Sequence, residues 1–201
     1  MDDSELPSRA LRPSHLASGG ADTPPPARVA GAAPIVITGT MGAADQRYFD
    51  ALRRAHFPPE RNYLSAHITL FHHLPPSLLE ELAALFRAIA ADTPPPRAAV
   101  SAVYSLGRGV AFRIDSPDLL ALRTRIADRF AGLLTPQDQA LPRLHVTVQN
   151  KVAPPEARAL LAELARDFRP RPVEITGIAA HHYRGGPWEA AFARNFRGPR
   201  T

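Results

Sequence analysis

Two short segments of this chain set a histidine and a threonine one residue apart: Ala66-His67-Ile68-Thr69-Leu70 and Leu144-His145-Val146-Thr147-Val148. Each reads apolar, His, β-branched, Thr, apolar. Successive side chains of an extended strand point to opposite faces, so His67 and Thr69 share one face while Ile68 and Leu70 share the other. His145 and Thr147 stand in the same relation. Two strands that bury their apolar faces and each offer an imidazole and a hydroxyl can build one pocket between them, suited to a phosphate. When water opens a cyclic phosphodiester, it must lose a proton as it attacks phosphorus, and a ribose oxygen must gain one as it leaves. A neutral and a protonated imidazole divide those tasks near neutral pH, and two hydroxyls can donate hydrogen bonds to the nonbridging oxygens. One His-x-Thr tripeptide is a weak signal; two in strand-like context are stronger. The competing reading makes His67 and His145 hydrogen-bonded strand residues without a catalytic part.

The residues around the motifs predict the elements that would hold them. Ile35 to Thr38 is a short β-branched run that fits a first strand. Ala43 to His56 follows as a helix, with Tyr48, Phe49 and Leu52 at helical spacing and Asp45, Arg47, Asp50 and Arg53 on the other side. After the first motif, a helix from about Pro76 to Ala91 lines Leu78, Leu82, Leu85 and Ile89 on one face, and Pro94-Pro95-Pro96 ends it. Val100 to Leu106 and Val110 to Asp115 read as a hairpin around Gly107-Arg108-Gly109. Ser116-Pro117 starts a helix that runs to about Leu134. The second motif strand, Arg143 to Asn150, leads to a helix from about Pro155, then to strands over Val173 to Ala180 and Trp188 to Phe196. Strands and helices interleave twice, once around each motif, which suggests two similar lobes.

Composition sets the bounds. At 201 residues, with 45% hydrophobic and 21% charged residues, the chain suits one soluble domain with a substantial core. Residues 1–33, rich in Pro, Ser, Ala and Gly, predict a disordered tail, and 34–201 a single domain. No apolar run approaches the roughly 18 residues of a membrane span, and the acidic start, Met1-Asp2-Asp3-Ser4-Glu5, leads into no apolar core of a secretory signal. A cytoplasmic monomer without membrane contact is the expectation. With no cysteine, disulfide and thiolate chemistry are excluded. The net charge of +5 is carried almost wholly by arginine, Lys151 being the sole lysine, and favours anionic ligands.

With both motifs in place, the chain resembles the two-histidine (2H) phosphoesterase superfamily, and within it the bacterial 2'-5' RNA ligase-like proteins. The resemblance runs over about residues 34–198 and rests on His67-Ile68-Thr69-Leu70, His145-Val146-Thr147-Val148 and the stretch Tyr183-Arg184-Gly185-Gly186-Pro187-Trp188. It implies an α+β, bilobal fold in which two antiparallel sheets face a central cleft with helices outside. It also implies hydrolysis of a 2',3'-cyclic phosphate on a nucleotide or RNA end, without metal or cofactor, by His67, Thr69, His145 and Thr147. His67 would then be the acid and His145 the base. A 2'-5' RNA-end ligase and a non-catalytic RNA or nucleotide binder are the alternatives. The family often places a basic residue soon after the second motif; here Gln149, Asn150 and Lys151 follow, without a dense basic run.

Other residues carry weaker expectations. Phe71 shares strand parity with His67 and Thr69 and is the best candidate to stack on a base; Tyr104, Tyr183 and Trp188 are further candidates, with Tyr183 able to close the cleft. Lys151 completes the expected substrate contacts. His73 falls on the face of His67 if the strand stays regular, although Leu74-Pro75-Pro76 favours a strand end there. His181 and His182 invite a metal reading, yet no ligand spacing supports it. Arg108, between two glycines, is expected as a solvated loop residue.

Overall fold

The computed structural model describes residues 33–198, so the tail expected over 1–33 falls, apart from residue 33, outside the described residues. Eight strands form two sheets. The first takes β1 (Ile35–Met41), β2 (Ile68–Leu74), β7 (Ile175–Tyr183) and β8 (Trp188–Asn195) in the order β2-β1-β7-β8. The second takes β3 (Ala99–Ser105), β4 (Gly109–Asp115), β5 (His145–Asn150) and the two-residue β6 (Arg171–Pro172) in the order β5-β4-β3-β6. Every pairing is antiparallel. In each sheet the motif strand lies at an edge, beside a central strand that precedes it in the chain. The C-terminal hairpin β7-β8 returns to complete the first sheet.

The helices are α1 (Ala43–His56), α2 (Leu79–Asp92), α3 (Pro117–Arg129), the single turn α4 (Pro136–Gln139) and α5 (Pro154–Arg166). Among the described residues, no helix is long and apolar enough to cross a membrane. Their packing crosses the two halves of the molecule. α1 leaves the first sheet and lies on the second, where it meets β5 and sets Phe49 edge-on to Phe112 of β4 at 5.4 Å. α3 leaves the second sheet and lies on the first, with a Leu119 methyl 3.4 Å from where a Cβ on Gly39 would stand and Arg123 donating to the Leu70 carbonyl of β2. α2 covers β8 through Phe86 and Phe192, and α5 covers β3 and β4. One continuous apolar core results, from Ile35 and Ile37 through Leu119 and Phe112 to Leu160.

Several expectations change in detail. α3 begins where Ser116 caps it, its hydroxyl accepting from the Leu119 N–H, but it ends at Arg129, short of Leu134. A short 3-10 turn and α4 follow, the latter capped by Thr135. The buried stripe of α1 is Asp45, Phe49 and Arg53, spaced one helical turn apart, while Tyr48 is exposed. Two of the charged residues assigned to the solvent side therefore face inward, because each has a partner there. Asp45 accepts from Arg171 and from the Glu174 N–H; Arg53 meets main-chain carbonyls described below.

Candidate active site

Both motifs show the alternation that their sequence demands: Ile68, Leu70, Val146 and Val148 are buried, while His67, Thr69, His145 and Thr147 are half-buried on the opposite side. His67 is the residue before β2, and His145 opens β5. The local geometry repeats closely. The His67 Nδ1 lies 2.8 Å from the Ser65 carbonyl, and the His145 Nδ1 lies 2.7 Å from the Arg143 carbonyl. A carbonyl oxygen can only accept, so each Nδ1 carries the hydrogen and donates it two residues back along its own chain. Each imidazole therefore keeps Nε2 as the nitrogen that takes up or gives a proton.

The His67 pKa is pushed down to about 4, first by burial, and then by the positive charges of Arg53, His145 and His181; the Ser65 carbonyl works the other way. In the protein alone, His67 is thus neutral at pH 7.

Each motif histidine also has an aromatic neighbour from elsewhere in its own sheet. Trp188 of β8 lies 4.6 Å from His67 between ring centres, and Tyr104 of β3 stands edge-on to His145 at 6.2 Å. Trp188 also meets His181 at 5.4 Å, and His181 Nε2 is 3.1 Å from the Thr38 hydroxyl. A cavity of about 390 Å³ opens beside His67, walled by Thr38, Thr40, Tyr63, Ser65, His181 and Trp188 among others.

α1 holds the approach to the first motif. Asp50 accepts from the Ala66 N–H at 2.6 Å, and Gln46 donates to the Ala66 carbonyl at 2.9 Å. Arg53 is 4% exposed and donates to the Leu64 carbonyl, to Asn62 Oδ1 and to the Thr147 carbonyl of the second motif. Burial lowers the Arg53 pKa, with Asp50 opposing, yet a guanidinium stays charged at any working pH.

The remaining candidates separate. Phe71 is fully buried under the Arg123 guanidinium, 4.7 Å above its ring, so it packs in the core instead of stacking on a base. The cause is a β-bulge: Thr38 pairs with Thr69 and Ile37 with Phe71, so Leu70 and Phe71 together oppose one step of β1 and parity reverses. The same bulge follows the second motif, where Ala111 pairs with Thr147 and Val110 with Gln149, and Gln149 is buried like Phe71. Lys151 is exposed in a left-handed turn (φ 62°) just beyond β5. Tyr183 ends β7 opposite Trp188 and is 44% exposed. His72 and His73 are exposed, their N–H groups donating to the two oxygens of Asp138. Arg108 is exposed and donates to the Val152 carbonyl. His181 serves the Thr38 and Trp188 contacts, and among the described residues no three His, Asp or Glu side chains gather where they could hold a metal ion.

Arg53, Asp50 and Gln46 were not legible as site residues. Their signal was weak: Arg53 completes an Asp45-Phe49-Arg53 stripe at four-residue spacing, which only the inward course of α1 turns into a site contact.

Residues 42–187 match the model of the 2'-5' RNA ligase superfamily. Among solved structures, the chain is similar to TT0787 of Thermus thermophilus, at 14% identity and a TM-score of 0.58 over 83% of this chain and 100% of that one. It is also similar to E. coli LigT complexed with NADP+ (14% identity, TM-score 0.53) and with 3'-AMP (16% identity, TM-score 0.53), each over 82% of this chain and 98% of that one. At these identities the likeness is one of fold. No curated protein matches the sequence.

Proposed function

Since the chain belongs to the 2'-5' RNA ligase superfamily, with residues 42–187 spanning most of it, we propose that it hydrolyses a 2',3'-cyclic phosphate on a nucleotide or RNA end. The observation that carries this reading is the repeated imidazole geometry: two histidines, one in each motif, each with Nδ1 tied to its own chain and Nε2 left for proton transfer. In the reaction, one Nε2 takes a proton from water as its oxygen bonds to phosphorus. The other gives a proton to the ribose oxygen as its bond to phosphorus breaks, and a phosphomonoester is released. Thr69 and Thr147, on the same faces as the histidines, donate to the nonbridging oxygens.

The family resemblance assigns the acid to His67 and the base to His145. The low pKa of His67 fits that assignment only when an anion is bound: the negative phosphate raises it, so His67 is charged by the substrate that needs its proton. Support for a nucleotide comes from LigT, whose complex with 3'-AMP holds a nucleotide bearing the kind of phosphate that ring opening leaves. The cavity beside His67, with Trp188 and Tyr63 in its wall, is the place for the rest of that nucleotide.

The test is an assay with EDTA present, following conversion of 2',3'-cyclic mononucleotides and cyclic-ended oligonucleotides to monophosphates. His67→Ala and His145→Ala are each expected to lower the rate by about 10² to 10⁴. Full activity in either variant would overturn the assigned roles. In ligation a 5'-hydroxyl takes the place of the water and loses its proton as it bonds to phosphorus while the ribose oxygen gains one, so identification of the product separates the two.

A further inference from the structure

Two buried arginines occupy corresponding places in the crossed packing. Arg53 of α1 reaches the main chain of β5, and Arg123 of α3 reaches that of β2. Each is nearly inaccessible, at 4% and 3% exposure, and each guanidinium lies over a phenylalanine ring, Phe57 for Arg53 and Phe71 for Arg123. Each is also held chiefly by carbonyls: Arg123 additionally serves those of Asp138 and Ala140. A charge this deep is expensive unless its donors are filled, and backbone carbonyls on opposite halves of the molecule fill them only while those halves keep one spacing.

Arg53 stands closer to the chemistry. Its Nε donates to Leu64, three residues before His67, at 3.1 Å; one terminal nitrogen donates to the carbonyl of Thr147 itself at 2.8 Å; the other donates to Asn62 at 2.8 Å. The guanidinium is planar and its donors diverge in fixed directions, so it acts as a rigid gauge where a lysine would offer one flexible point. We propose that Arg53 is a positioning residue that sets the two motif histidines against each other, gripping the segment before His67 with one arm and the second motif strand with another. It touches neither the phosphate nor the reacting atoms. Its function is the distance between the motifs, and its charge adds to the positive field at the phosphate site.

This inference rests on the phosphodiesterase reading for its kinetic arm but not for its spectroscopic one. The groups bearing on His67 are Arg53 from α1, His145 from β5 and His181 from β7, so loss of one changes the titration of His67 in a definite direction. Removing the Arg53 charge moves the His67 midpoint upward from about 4. Arg123 is absent from that set and serves as the internal comparison: it braces β2, the strand that directly follows His67.

The experiment titrates isotope-labelled histidines by NMR, from below the His67 midpoint to above that of an ordinary histidine. It uses the native chain, Arg53→Gln, Arg53→Lys and Arg123→Gln, with kcat and KM measured on 2',3'-cyclic AMP. Arg53→Gln is expected to raise the His67 midpoint by about half a unit or more and to lower kcat by about 10- to 100-fold with little change in KM. Arg53→Lys keeps the charge and loses the divergent donors, so the His67 midpoint stays in place while kcat still falls. Arg123→Gln also leaves the His67 midpoint in place. A folded Arg53→Lys with native kcat, or an unshifted His67 in Arg53→Gln, overturns the proposal; failure of both Arg53 variants to fold overturns it in favour of a purely structural role. A native chain without turnover would refute the functional reading alone, since the titration arm needs none.

Discussion

His67 is where pH acts most directly on this molecule. Its pKa in the folded chain is about 4, against about 6.5 for an unperturbed histidine. Between those values the unfolded chain binds a proton that the folded chain refuses, so stability contributed by neutral His67 is present above pH 6.5 and is lost as pH falls toward 4. Urea unfolding at pH 7 and pH 5 should therefore show a smaller loss of stability in His67→Gln than in the native chain; an equal loss would mean that His67 titrates normally. At this scale the sequence was most legible. The alternation of buried Ile68, Leu70, Val146 and Val148 with half-buried His and Thr follows from strand parity alone. The carbonyls that fix the two tautomers were not, because main-chain acceptors leave no mark in the residue types.

At the scale of elements, the bulge after each motif shows where parity reading stops. Nothing in Leu70-Phe71 or Val148-Gln149 announces two consecutive inward residues, yet the distortion occurs at the same offset in both strands and turns the residue after each motif into the core. Phe71 failed as a stacking residue for that reason. The helical turn α4 was equally silent, since its single turn has no periodicity to detect. Its Asp138 is buried and accepts from the N–H groups of both His72 and His73. Burial works to raise the Asp138 pKa, but the hydrogen bonds from His72 and His73 outweigh it and hold the carboxyl below its ordinary value. That stabilisation is present above the ordinary carboxylate range and is lost as pH falls through it. Asp138→Asn, which replaces one accepting oxygen by an amide facing an N–H donor, should cost about 1–3 kcal/mol in urea unfolding at pH 7. No change in midpoint would show that the clasp carries no stability.

For the whole molecule, the two-lobed α+β architecture and the motif in each half were readable, because the strand-helix pattern repeats around each His-x-Thr. The partners were not. α1 and α3 exchange sheets, and β7-β8 joins the first sheet across the length of the second. Arg53 looked like a solvent-side charge for the same reason: its acceptor Thr147 belongs to a strand far along the chain.

The exchanged helices make the halves of this chain incomplete without each other. A chain cut within Pro94-Pro95-Pro96 would give an N-terminal piece holding only two strands of the first sheet, with α1 deprived of the surface it covers. The C-terminal piece would carry the second sheet without α1 and a hairpin without its neighbours. Unpaired edges and uncovered apolar faces of this kind lead to aggregation. Neither fragment should show a cooperative melt by circular dichroism, while the two made together should associate and recover one. A cooperative transition in either fragment alone would mean that the halves are separable. If they are not, the pairing of the two His-x-Thr motifs is a property of complementation, assembled only when the two pieces interlock.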